Sequence, residues 1–206
     1  MMPKPASLAP DSETPMKYDL LTKILHASIA LGVSLQMITS LVMIYPKPGR
    51  VPNQWYEVHE WVGIALLGIV SIHWLWAVGR TLIRGDALLL FPWFSGARLG
   101  QLGRDIAETG CEALRGRLPG GDEPRALPAA VQGLGLLLAL GMAVTGTALS
   151  MGMAPDGGLS PLLRVVKEIH ESLAPVMWVY LLVHPLLGVL HQMAGHRSLS
   201  RMFGPR

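Results

Sequence analysis

Charge is what this chain has least of. Only 15% of its 206 residues are Asp, Glu, Lys or Arg, where a soluble domain carries about a quarter. Half of the residues are hydrophobic and the mean hydropathy is +0.39. A water-soluble globular domain is thereby excluded in favour of a protein of the lipid bilayer. Cysteine is almost missing too. The single Cys111 excludes an internal disulfide framework, a cysteine-ligated iron–sulfur cluster and a CxxCH attachment motif within the chain. The net charge of +3 is small, and no nucleic-acid partner is expected.

What is present is apolar length. Four stretches, 24–45, 55–79, 129–153 and 170–194, reach the roughly 20 residues that a spanning helix needs. The expected fold class is an all-α integral membrane protein, a four-transmembrane-helix bundle. The first stretch begins too late and runs too long for a cleaved signal peptide, and no small-residue cleavage site follows it. Basic residues then orient the chain. Thirteen fall on the N-terminal arm, the loop after the second span or the tail, and only Lys47, Arg50, Arg164 and Lys167 on the other side. The positive-inside rule places both termini and the middle loop in the cytoplasm.

Residues 1–16, with four prolines among polar residues, read as a disordered arm, and 17–206 as the membrane domain. Pro46-Lys47-Pro48-Gly49 ends the first span. The loop 80–128 is too long for a plain connection. Leu99, Leu102, Ile106, Leu114 and Leu118 recur there at near-helical spacing among charged residues, which predicts a helix lying in the cytoplasmic interface. The third span carries neither histidine nor charge, and its Gly133, Gly135, Gly141 and Gly146 suit close packing with no ligand role. The six tryptophans read mostly as an interfacial belt.

Chemistry rests on histidine. Six of the seven, His26, His59, His73, His170, His184 and His191, fall in or at the ends of the spans. An imidazole in lipid is costly without a partner and marks function. His59 and His73 are fourteen residues apart, as are His170 and His184. That step rises about 21 Å along a helix and returns to nearly the same face. Each helix therefore offers one imidazole near each side of the bilayer core, a geometry suited to two stacked redox cofactors. A six-coordinate haem needs two facing imidazoles, and with no cysteine attachment it would be a non-covalent haem b. His59 and His170 open spans from the outer side and match in depth. On the inner side His184 can pair with His26 or with His73, and periodicity does not choose.

The segment Ile169-His170-Glu171-Ser172-Leu173-Ala174, the step to His184 and the further seven residues to His191 resemble the last helix of the bacterial cytochrome b561 family. The likeness extends to the four-helix cytochrome b subunits of Ni–Fe hydrogenase, formate dehydrogenase (gamma subunit) and thiosulfate reductase. Lys17-Tyr18-Asp19 ahead of Leu25-His26, and Val58-His59 followed by Gly63, look like the family's first two helices. The resemblance runs from Lys17 to the tail. It implies two haems b, with His26 and His184 as the inner iron ligands and His59 and His170 as the outer ones; His73 and His191 are the alternative candidates. One departure is Ala27, where a tryptophan commonly follows the first histidine.

Around these, Glu60 and Glu171 stand next to the outer histidines, as candidates to orient the imidazoles or as solvated carboxylates. Arg164 and Lys167 are outer cations able to pair haem propionates. Pro175 and Pro185 are expected to bend the last span. Two bis-histidine haems leave no open coordination position, so the expected function is electron transfer across the membrane. The resemblance implies exchange with quinone at one end, placed here near His26, His184 and the 91–93 stretch. At the other end it implies a periplasmic cytochrome or a catalytic respiratory subunit. The competing reading is a haem-free transporter or assembly factor that uses the histidines for metal or protons.

Overall fold

Four long apolar helices dominate the computed structural model, which describes residues 19–84, 93, 95–116, 126–195 and 198–203. The helices are α1 (Leu20–Val42), α2 (Gln54–Arg84), α3 (Gly96–Leu114), α4 (Ala126–Gly152), α5 (Pro161–Met193) and α6 (Ser198–Phe203). α1, α4, α5 and the Gln54–Arg80 part of α2 are long and apolar enough to cross a membrane. The protein is an all-helical four-helix membrane bundle, and the described residues contain no strand. The expected disordered arm 1–16, residues 91 and 92 of the 91–93 stretch, Leu118 and His196 lie outside the described residues.

Local chemistry sets the helix ends. Asp19 caps α1, its carboxylate accepting from the Thr22 amide at 2.8 Å and the Thr22 hydroxyl at 2.9 Å, which supplies an acceptor to an otherwise orphaned helix-start amide. Arg80, far along α2, donates to the same carboxylate at 2.6 Å, and the Trp76 indole donates to Thr22 at 3.1 Å. At the other end Asn53 ties the turn together: its carbonyl accepts from the Ile44 and Tyr56 amides, and its amide donates to the Val42 carbonyl. The loop between α4 and α5 packs against this turn so closely that a Cβ at Gly157, where φ is +81°, would strike the Pro46 carbonyl. Only glycine combines that backbone conformation with that approach.

α5 begins nine residues before His170. Ser160 caps it and Pro161 occupies its first turn, where a missing N–H costs nothing. Arg164, Lys167 and Glu168 interrupt the hydropathy there without interrupting the helix, so the apolar stretch 170–194 is only its later part. Pro175 and Pro185 lie inside an unbroken α5.

The buried core is Met37, Val70, Leu136, Leu138, Ala139 and Met177, with Trp74 and Trp178 packed against it. Those two tryptophans are thus core residues, whereas Trp61 is 70% exposed, as a belt residue would be. α1 packs on α2, α2 on α4 and α4 on α5. α5 meets α1 only sparsely and has no extended backbone packing on α2. α5 meets those two helices through side chains, with Met177 buried in one cluster with Met37 of α1 and Val70 of α2.

The amphipathic helix expected after the second span is α3, none of whose residues is buried. It packs on α4, and its Asp105 accepts from the Leu127 amide at 3.1 Å at the start of that helix.

Candidate functional site

The histidines meet where α5 faces α1 and α2. His26 of α1 and His184 of α5 face each other with ring centroids 6.4 Å apart and planes 54° from parallel. Metal–imidazole bonds are about 2 Å long, so two imidazoles on opposite sides of one metal have centroids about 6 Å apart. His59 of α2 and His170 of α5 form the second juxtaposition, within electrostatic reach of one another. The structure thus brings together the outer pair expected from depth and the inner pair that the family resemblance implies. His73 joins the inner group: it lies within electrostatic reach of His26, Arg80 and Asp19. Among the described residues its buried Nδ1 has no hydrogen-bond partner. His191 sits in the last turn of α5, clear of both pairs along the helix.

The outer histidines are held by residues that sequence reasoning missed. His59 Nδ1 lies 3.0 Å from the Thr39 hydroxyl, and His170 Nδ1 lies 2.8 Å from the Thr145 hydroxyl. Thr39 itself donates back to the Leu35 carbonyl at 2.9 Å, and Thr145 to the Gly141 carbonyl at 2.6 Å. Each hydroxyl has a single proton, so with that proton on the backbone the imidazole N–H must donate. Both rings then carry their proton on Nδ1, which leaves Nε2 as the lone-pair nitrogen, the form that binds a metal. Gly146 makes room for His170: a Cβ there would sit 3.1 Å from the ring. Gln36 donates to the His59 backbone carbonyl at 2.7 Å, in space that the absence of a Cβ at Gly63 leaves open.

Span three therefore does more than pack. Its Thr145-Gly146 pair orients and accommodates a histidine of α5. Threonines in an apolar run were the available signal, but Thr147 beside them reads the same way in sequence, and only the fold separates them.

The acidic neighbours take other partners. Glu60 accepts a hydrogen bond from Ser150, and Glu171 pairs with Lys167 one turn away. Neither of these bonds reaches the imidazole next to it. Lys167 also lies over the Tyr45 ring, and Arg164 donates to the Leu159 carbonyl. At the inner level Tyr180 stacks on His184, with centroids 5.1 Å apart and planes 7° from parallel. Gly135 of α4 admits that tyrosine, since a Cβ there would collide with its ring and hydroxyl.

The residues present fit a haem held by histidine. The inner ring centroids lie 6.4 Å apart, close to the spacing of two imidazoles on one metal, and the threonine bonds leave Nε2 of each outer ring free to bind one. Buried Gln36 Oε1 and Thr147 Oγ1, like His73 Nδ1, have no hydrogen-bond partner among the described residues. Orphaned buried polar atoms call for an explanation such as a missing ligand.

A four-helix membrane bundle with facing histidines at two levels belongs to the class of membrane electron carriers that hold haem through histidine. The sequence profile of prokaryotic cytochrome b561 matches residues 17–205, and the chain belongs to that family. It is accordingly a membrane b-type cytochrome that binds b-type haem and transfers electrons. No curated protein and no solved structure matches it.

Proposed function

We propose that the protein holds two haems b, the inner one between His26 and His184 and the outer one between His59 and His170. With them it carries electrons across the bacterial inner membrane. The observation that carries this reading is the approach of His26 to His184 and of His59 to His170, at two levels of α5.

Bound haem supplies one-electron chemistry at its iron. The chain's own residues do the rest. His26, His184, His59 and His170 would hold the two haem irons, and with all four bound the protein would be restricted to electron transfer. Thr39 and Thr145 keep the outer rings in the ligating tautomer. α5 contributes one ligand to each level, so a single rigid element fixes the distance between them at about 21 Å of helix rise.

Quinone in the bilayer is the proposed partner at the inner end, near His26 and His184. A periplasmic cytochrome or the electron-carrying subunit of a respiratory enzyme is the proposed partner at the outer end. The metal-binding form of the haem-free alternative finds less support: among the described residues no three His, Cys, Asp or Glu side chains converge as a metal site would require.

The test is a reduced-minus-oxidised spectrum with a haem assay on purified protein. About two haems b per chain are expected, with one lost in His59→Ala and one in His26→Ala. A colourless protein after haem-sufficient expression would overturn the reading.

A further inference from the structure

We propose that Thr39 and Thr145 are positioning residues. They fix the orientation and raise the donor strength of the outer histidine pair, and so hold the outer haem at a lower potential than the same two ligands would otherwise give. The inference rests on the reading of His59 and His170 as ligands of one haem.

The two arrangements are the same solution reached twice. Thr39 lies on α1 and serves a histidine of α2; Thr145 lies on α4 and serves a histidine of α5. In each, the hydroxyl proton is held on the threonine's own helix, by the carbonyl four residues back, at 2.9 Å for Leu35 and 2.6 Å for Gly141, and by the one three residues back, at 3.0 Å for Gln36 and 3.2 Å for Met142. Oxygens that close need a proton between them. The hydroxyl oxygen is thereby left as the acceptor for each Nδ1–H. The local sequences, Gln36-Met37-Ile38-Thr39 and Met142-Ala143-Val144-Thr145, share little beyond the threonine.

A threonine that bonds back to its own helix is already satisfied, so packing alone gives it no need of an imidazole. Thr39 is 1% exposed, which keeps water from competing for its lone pairs. The effect on a bound metal follows from general chemistry. An acceptor on the distal N–H makes the ligating nitrogen more basic and fixes the ring plane. A more basic ligand favours the oxidised, more positively charged iron. The inner pair is set differently, with an aromatic ring stacked on His184.

The test uses the full-length, haem-loaded protein in detergent or nanodiscs, with redox titration and low-temperature EPR. Thr39→Val and Thr145→Val are near-isosteric and keep the helix packing. Each is expected to retain two haems, to raise the midpoint potential of one haem and to shift that haem's low-spin signal. The other haem should be unchanged, and the double variant should shift further. Thr39→Ser and Thr145→Ser, which keep the hydroxyl, should restore the parental potential.

Unchanged potentials and signals in the valine variants, or equal shifts in both haems, would overturn the inference. Should a valine variant lose the outer haem outright, retention of that haem in the serine variant supports the positioning role. Its loss there too overturns it. Failure of the underlying ligand reading looks different: His59→Ala and His170→Ala would then both keep two haems.

Discussion

His73 copies the spacing of a ligand and sits among the inner histidines, so spacing alone could not separate it from His26. The proposed inner pair is His26 with His184, whose ring centroids lie 6.4 Å apart. His26→Ala is expected to lose one haem and His73→Ala to keep both, read from haem content per chain. Asp19 offers a second single-residue test. Burial pushes its carboxyl up, but bonds from the Thr22 amide and hydroxyl and from the Arg80 guanidinium outweigh that and hold it below its ordinary value. A depressed folded-state value means that the contribution is fully present above the ordinary carboxylate value. It is lost as the pH falls through the folded one. Thermal stability should therefore be flat around neutrality and fall below about pH 4, and Asp19→Asn should blunt that fall. Asp19→Ala, which removes the cap, should cost about 1 kcal/mol. The side chain is a third exposed, so the ion pair adds little to that figure. Histidine was legible in the sequence because imidazole is conspicuous in an apolar run. Thr39 and Thr145 were not, because a membrane threonine can satisfy itself on its own helix and leaves no pattern when it serves a neighbour.

At the scale of elements, the apolar stretches gave the four spans, while the helix limits came from caps that hydropathy does not register. The start of α5 at Pro161 is the clearest case, since charged residues lower a hydropathy window without breaking a helix. Glycine in α4 was read as a packing device, and the structure makes that specific. Gly135→Ala is expected to drive Tyr180 away from α4 and disturb its stack on His184, with a loss of about 1–3 kcal/mol typical of overpacking. Gly141→Ala, whose Cβ would meet Leu173 at an ordinary 3.5 Å, should be tolerated. Thermal melts followed by haem absorbance distinguish the two. A comparable loss at Gly141 would mean that α4 and α5 pack more closely than described.

For the whole molecule, orientation is the property with the simplest test, and the chain carries its own reporter. Cys111 is the only cysteine and is exposed on α3, in the loop that the basic residues assign to the cytoplasm. A membrane-impermeant maleimide should label it in inverted vesicles and not in intact spheroplasts; the reverse result would invert the topology. The sequence by itself determined the membrane class, the number of spans and the histidine inventory. Those follow from composition and local periodicity, which lipid enforces residue by residue. Only the tertiary structure decided that His26 lies against His184, and that α1 and α4 each lend a threonine to a histidine on a neighbouring helix. These are contacts between segments far apart in the chain. They depend on which helix faces pack together, and no single helix encodes that.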